Sequence, residues 1–279
     1  MEFHNRDKAA EHHKLMVSLV AEMRAKYTWE DVACAVCGEP GPTTPAFEKW
    51  DLAMVTCDRC GHLFVTPRLP ESAVPELYGS RYWEDYSKAI GSPTLRERAD
   101  WDYRNSFYKL QRDVLPFRTT GRLVDVGASN GGMVRAAAES GFEAVGIEPS
   151  PEICALAREV NGVTMICGDI RHLKLAAASF DVVTMHDVLE HVFDPVGTLR
   201  ACRRVLKPGG LLVVEMPSGD SLCALELGTE WSYFSPLEHV NLFTQANAAR
   251  IVRAAGFGIV DHYDPHEENQ IIIGEAVAA

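Results

Sequence analysis

Apolar positions along this chain change their rhythm several times, and each change marks a boundary. From Ala9 to Lys26, Leu15, Met16, Leu19, Val20 and Met23 fall at three- and four-residue steps, the period of an amphipathic helix. That stripe predicts a helix that packs on its own chain or on a second copy, so a homodimer is one expectation. Between Cys34 and Pro70 the pattern is broken by Gly38, Pro40, Gly41, Pro42, Pro45, Gly61, Pro67 and Pro70. Such punctuation rules out long regular elements and predicts a small loop-built module. Residues Glu71 to Phe117 concentrate aromatic rings (Tyr78, Tyr82, Trp83, Tyr86, Trp101, Tyr103, Phe107, Tyr108) and read as connecting helices able to cover a site, with ring packing the default role for each.

After Gly121 short apolar runs alternate with helical periods. Arg122–Val126, Glu143–Ile147, Val163–Ile166, Asp181–Met185 and Leu211–Glu215 predict buried parallel strands with helices between them. Phe257–Tyr263 and Gln270–Gly274 predict two closing strands with no helix between them. The class is therefore α/β.

Composition narrows the functions. At 47% hydrophobic and 24% charged residues the chain can bury a core like an ordinary globular protein. Its 27 lysines and arginines face 39 aspartates and glutamates, for a net charge of −12. That field repels polyanions, so a nucleic-acid partner is not expected. The N-terminal stretch lacks the apolar core of a signal peptide, and no run approaches the ~18 apolar residues of a membrane span. A cytoplasmic protein without a membrane partner is expected, and in that setting its eight cysteines read as thiols or metal ligands.

Four of them form two matched knuckles, Cys34 with Cys37 and Cys57 with Cys60, each followed directly by glycine (Gly38, Gly61). Two such pairs predict a structural zinc site with a closed thiolate shell; a redox-active pair is the rival reading. Cys154, Cys167, Cys202 and Cys223 lack such company and are expected to be small buried residues.

Asp125, Gly127, Ala128, Ser129 and Gly131 place an acid at a strand end and a small-residue turn before a helix, where unpaired amides can meet a ligand. The second predicted strand ends in Glu148 and Pro149, about twenty residues further on, where an acid can accept both hydroxyls of a ribose. Gly168, Asp169 and Ile170 follow the third strand, and Leu206 to Leu212 carries a Lys207, Pro208, Gly209, Gly210 turn. In this order, over Gly121 to Gly274, the chain resembles the class I S-adenosylmethionine-dependent methyltransferases. The resemblance implies a seven-stranded, mostly parallel sheet with helices on both faces, preceded by the small four-cysteine zinc module. It divides the chain into an N-terminal helix (1–30), the zinc-ribbon-like module (31–70), a helical connector or lid (71–118) and the cofactor-binding domain (119–279). It also implies that Asp125, Gly127, Ala128, Ser129 and Gly131 hold the methionine part of S-adenosylmethionine, with Ser129 in place of the usual middle glycine. Glu148 and Pro149 would meet the ribose, Asp169 and Ile170 the adenine, and His186 with Asp187 would border the methionine and the acceptor.

Methyl transfer from a sulfonium requires alignment of the acceptor and removal of its proton. Glu190 and His191 follow the fourth strand, and with Asp187 they would share one face if the segment turned helically. The segment resembles that of ubiquinone-pathway O-methyltransferases, where such a trio can hold a divalent metal. A second cluster, Trp231 to Thr244, contains His239 and Asn241 and is similar to small-molecule methyltransferases; His239 or His191 is the expected base, while capping of the following helix is the structural alternative. The segment from Cys57 to Arg68, with Tyr78 and Tyr82, resembles the zinc-bearing front of sugar and natural-product methyltransferases, in which Tyr78, Tyr82 or Tyr86 would close over the cofactor. The expectation is O-methylation of a small-molecule acceptor in a biosynthetic pathway. N- or C-methylation of a nucleotide-linked sugar is the alternative; an RNA-modifying enzyme or a non-catalytic adaptor are the rivals from other classes.

Overall fold

A computed structural model describes residues 6–78, 80–265 and 267–277, with side chains for all of these except 6–9 and 80–84. Tyr82 and Trp83 therefore lie outside the described side chains. Helix α1 (Arg6–Lys26) uses its apolar stripe within the chain: Met16, Val20 and Met23 pack with Trp50, Leu52, Leu69, Leu77 and Leu237. The punctuated segment forms antiparallel strands β1 (Thr43–Lys49), β2 (Leu52–Cys57) and β3 (Leu63–Val65). Trp50 and Asp51, at φ 57° and 58°, supply the two positive φ values that a tight I′ hairpin turn demands, and Arg24 Nη2 donates to Asp51 O at 2.8 Å. Three connecting helices follow, α2 (Val74–Leu77), α3 (Ser80–Ile90) and α4 (Ala99–Asp113).

The remainder runs β4 (Gly121–Val126), α5 (Gly132–Glu139), β5 (Phe142–Glu148), α6 (Pro151–Asn161), β6 (Met165–Cys167), β7 (Phe180–His186), α7 (Pro195–Val205), β8 (Leu206–Pro217), α8 (Leu222–Leu227), β9 (Asn241–Leu242), α9 (Gln245–Ala254), β10 (Phe257–Tyr263) and β11 (Asn269–Ala276). Seven of these strands form one sheet in the order β10-β11-β8-β7-β4-β5-β6. Strands β6, β5, β4, β7 and β8 are mutually parallel, and β11 runs antiparallel to both β8 and β10. Successive side chains of a strand point to opposite faces, and the core divides accordingly. Leu123, Val182, Val213 and Ile271 pack under Leu110 and Val114 of the α4 end and Met133 of α5. Val124, Val183, Val214 and Ile272 pack under Leu199 of α7 and Ile251 of α9.

Strand β8 is longer than its apolar run predicts. Leu206 already pairs with Phe180, and the register then slips so that Leu211 faces Val182. The Lys207 to Gly210 turn is thus a bulge inside the strand, with Gly209 at φ 71°. The lone cysteines also depart from expectation. Cys154 and Cys202 are buried, but Cys167 is exposed and Cys223 only half-buried, because Cys167 ends β6 at the edge of the sheet.

A second, four-stranded sheet has the order β1-β2-β3-β9. Its last strand comes from the segment between β8 and α9, through Leu63 opposite Leu242 and Phe64 opposite Asn241. The cysteine module is therefore stitched to the region that carries His239.

Gly146, in β5, sits beneath the loop after β4: a Cβ there would stand 2.5 Å from Met165 Sδ and 2.7 Å from Ala128 Cβ. Gly146→Ala is expected to lower unfolding free energy by about 1–3 kcal/mol, the usual cost of overpacking, in denaturant titrations. An unchanged midpoint would contradict this packing.

Candidate active site

The small-residue turn between β4 and α5 is closed from two sides. Gly127 sits at φ 73°, and a Cβ there would fall 2.4 Å from Val188 Cγ2, so only glycine fits. Ser129 adopts φ 46°, the left-handed backbone that glycine takes at no steric cost. Its amide donates to Glu148 Oε2 at 3.2 Å, and the Ser150 amide donates to Oε1 at 3.1 Å. The Glu148 carboxylate thereby pins the turn to the end of β5. Burial pushes its pKa up, and those amides pull it part of the way back. Asp125 accepts from Thr184 Oγ1 at 2.7 Å; burial raises its pKa to about 7 against the opposing pull of Thr184 and Lys109.

A cleft of about 140 Å³ lies against this turn. Asp125, Gly127, Ala128 and Ser129 line it, as do His186 and Asp187 at the end of β7. Gly131, Glu148, Pro149, Asp169 and Ile170 stand outside its lining. Gly131 caps α5 at φ 81°, and Ile170 is buried in the core. Asp169 accepts from Arg171 Nε at 3.0 Å, and the same guanidinium reaches Glu71.

The opposite wall consists of Arg98 and the α4 residues Asp102, Asn105, Ser106 and Lys109, which the sequence reading missed. Their spacing was a signal: positions 102, 105, 106 and 109 form a polar stripe along one helix face amid aromatic residues. Lys109 Nζ lies 3.2 Å from Glu215 Oε1 and 3.6 Å from Asp187 Oδ2. Behind it Arg112 pairs with Asp113 at 2.7 Å and with Glu215 at 3.1 Å. Burial, reinforced by Lys109, holds the His186 pKa far below the usual imidazole range, so its ring is neutral. Asp113, His186 and Glu215 lie close enough to share a metal, but the two cations already occupy the carboxylates.

The segment after β7 is a turn rather than a helix. Asp187 takes φ 54°, so it does not share a face with Glu190 and His191 as a helical reading required. Asp187 turns to Lys109, and Glu190 and His191 instead meet His239; one potential ligand atom from each of these three lies within 4.8 Å of the others. Two imidazoles and a carboxylate suit a divalent transition metal. His191 Nδ1–H donates to Glu238 O at 3.0 Å, with the Tyr78 hydroxyl 3.3 Å from the same nitrogen. His239 Nδ1–H donates to Tyr233 O at 2.6 Å. The two rings meet edge to face with centroids 4.6 Å apart. Carbonyl acceptors fix both tautomers, so each Nε2 carries a lone pair. Burial lowers both pKa values, His191 to about 3; His239 falls less far because Glu238 and Asp187 oppose the burial. Burial, with Asp187 nearby, raises Glu190 well above the usual carboxylate range, and both its oxygens are buried without a hydrogen-bond partner. Thr244, not His239 or Asn241, caps α9.

The four cysteine sulfurs lie within 4.8 Å of one another, with Cys34 to Cys60 and Cys37 to Cys57 both at 3.6 Å. A zinc ion bound at about 2.3 Å to four sulfurs sets their mutual separation at roughly 3.8 Å, so the donors fit. The amides of Cys37 and Val36 face the Cys34 sulfur and oppose the burial that raises its pKa, and those of Arg59 and Cys60 face the Cys57 sulfur, whose pKa is lowered despite burial.

Removing the central cation should expose the arrangement of charges. Lys109→Met leaves Asp187 without its cation and Glu215 with Arg112 alone, and is expected to cost about 1–2 kcal/mol at neutral pH. Burial already raises the Asp187 pKa, so protonation relieves the unpaired charge and the loss should shrink in acid. Urea unfolding at pH 7 and pH 5 checks this; a loss independent of pH would contradict it.

Residues 101–262 match the family model described as a methyltransferase domain. The chain is 33% identical over 172 residues to a ubiquinone biosynthesis O-methyltransferase of Cereibacter sphaeroides, covering 58% of this chain and 69% of that protein. Among solved structures it is similar to an S-adenosylmethionine-dependent methyltransferase of Thermotoga maritima described as a possible histamine N-methyltransferase, with TM-score 0.53 and 22% identity over 70% of this chain and 99% of the other. It is similar as well to a methyltransferase from a Haloferax volcanii complex with the Trm112 activator, with TM-score 0.53 and 19% identity over 66% of this chain and 94% of the other. The seven-stranded sheet and the family match agree, and the chain belongs to the class I S-adenosylmethionine-dependent methyltransferases.

Proposed function

We propose that the chain methylates a hydroxyl of a small-molecule acceptor in a biosynthetic pathway, with His239 as the base. The observation that carries this reading is the pair of half-buried imidazoles, each fixed through Nδ1 to a carbonyl with Nε2 left to accept a proton. S-adenosylmethionine, when bound, supplies a methyl group on a sulfonium that is already a good leaving group. Asp125, the 127–129 turn and Asp187 would orient its methionine part from the cleft, and Glu148 would hold the ribose. His239 is the stronger base of the pair because Glu238 and Asp187 offset its burial, and Asp187 also borders the cleft. His191 stacks edge-on against it and holds its plane. Glu190, kept protonated by burial, would donate a hydrogen bond to the acceptor oxygen, and the proton that His239 takes from the acceptor would pass to solvent once the methylated product leaves. In the cysteine module a zinc ion would link the two knuckles and supply folding energy.

Incubation with isotopically labelled S-adenosylmethionine and a panel of phenols, sugars and hydroxy acids tests the reading. His239→Ala should lower kcat by on the order of 10²–10⁴, the usual contribution of a general base, with cofactor affinity retained. A variant as active as wild type sinks the assignment. Activity that chelation abolishes and a divalent ion restores would assign Glu190, His191 and His239 to metal binding instead.

Cofactor binding should also depend on pH. Burial pushes the Asp125 pKa up to about 7, and the ammonium group of the cofactor would favour its ionised form. Binding therefore releases a proton below pH 7, and affinity is expected to be about tenfold weaker at pH 6 than at pH 8. Asp125→Asn should flatten this profile in calorimetric titrations; a wild-type profile that is already flat would contradict it.

Metal analysis should find one zinc per chain, and Cys57→Ser should both release it and lower the melting temperature. Purified protein free of metal, with its four cysteines joined as disulfides, would instead favour the redox alternative.

A further inference from the structure

His62 and Asn241 lie far apart in sequence and play no part in the chemistry described above, yet both are fully buried. Asn241 makes bonds in three directions. Its amide N–H donates to Glu190 O at 3.1 Å, its Nδ2 donates to Val192 O at 2.8 Å, and its Oδ1 lies 3.1 Å from His62 Nε2. Because Nδ2 is committed to a carbonyl, Oδ1 must face the histidine, and His62 Nε2 must carry the proton.

Each bond has a distinct anchor. Glu190 and Val192 flank His191, so two bonds hold the strand of Asn241 against the turn that carries one imidazole. Asn241 itself follows His239 by two residues, so the same strand carries the other imidazole. The third bond reaches His62, two residues beyond Cys60. His62 cannot swing away: it is stacked between Phe64 at 5.8 Å and Phe243 at 4.9 Å. Val65 N, from the same β3 region, donates to Val240 O at 3.0 Å.

We propose that His62 and Asn241 are positioning residues that set the separation of His191 and His239, so that the cysteine module fixes the geometry of the proposed base. The inference rests on the role assigned to the histidine pair, but the clamp itself is a matter of bonding and can be tested apart from that role. Losing the His62 donor leaves Asn241 Oδ1 buried and unpaired. The amide then turns, and the grip on the 190–192 turn loosens while the cofactor cleft, built from β4, β7 and α4, stays intact.

The test compares wild type with His62→Phe, His62→Gln, Asn241→Ala and the His62→Phe/Asn241→Ala double variant. Each is labelled with 15N-histidine, and imidazole resonances, S-adenosylmethionine affinity and kcat are measured. His62→Phe keeps the stacked ring without the donor and should shift the His191 and His239 resonances and lower kcat at least tenfold, with cofactor affinity within twofold of wild type. His62→Gln restores an N–H donor and should recover most of the rate. The double variant should be no worse than the worse single, because both remove one clamp. Should Asn241→Ala fail to fold, Asn241→Ser carries the same comparison. Unshifted resonances in His62→Phe, additive losses, or failure of the glutamine to recover more than phenylalanine would overturn the proposal. If the resonances shift while wild type and every variant transfer no methyl group, the clamp stands and the assigned role of the histidine pair fails.

Discussion

Strand order reverses at β4, with β5 leaving on one side and β7 on the other, and this reversal sets where a ligand can sit. The connections that follow β4 and β7 part company at the carboxyl ends of the strands and leave a crevice. Into that crevice project the 127–129 turn from β4 and His186 with Asp187 from β7. Neither group could serve without the other, and neither owes its position to neighbours in sequence. Helix α4 then closes the open face, its Lys109 bridging Asp187 and Glu215 across the ends of β7 and β8.

Burial governs the chemistry that this placement permits. Removal from water disfavours charge on any titratable group, and among the site residues it keeps Glu190 protonated and His186, His191 and His239 neutral. Lys109 keeps its charge because two carboxylates outweigh its own desolvation. The site therefore presents a cation paired at the cleft and neutral acid and base groups beside it, which suits a reaction in which a proton must leave an acceptor as positive charge on sulfur disappears. Nε2 of each imidazole is free because backbone carbonyls, not carboxylates, hold Nδ1.

Periodicity made the main sheet legible: the apolar runs at 122–126, 143–147 and 181–185 all lie in strands, since buried parallel strands need continuous hydrophobic sequence. The glycine turn was legible because Gly127 has steric duties that no other residue can meet. What could not be read were features fixed by contacts between remote segments. Strand β9 contains only two residues, too few for any periodicity, and exists because β3 offers it an edge. The helical reading of 187–191 failed at one backbone torsion, the positive φ of Asp187, which apolar spacing does not encode. His239 was singled out by its aromatic surroundings, but its pairing with His191 depends on a turn and a strand that only the fold brings together.

Glu148 offers the most direct test of where the cofactor lies, because its carboxylate both fastens the turn through the Ser129 amide and stands at the end of β5. Calorimetric titration with S-adenosylmethionine is predicted to show saturable binding to wild type and at least roughly tenfold weaker binding to Glu148→Ala, the loss of about 1.4 kcal/mol that one charged hydrogen bond supplies. Equal affinity for the two proteins, or no binding by folded wild type, would contradict the placement of the cofactor against this turn.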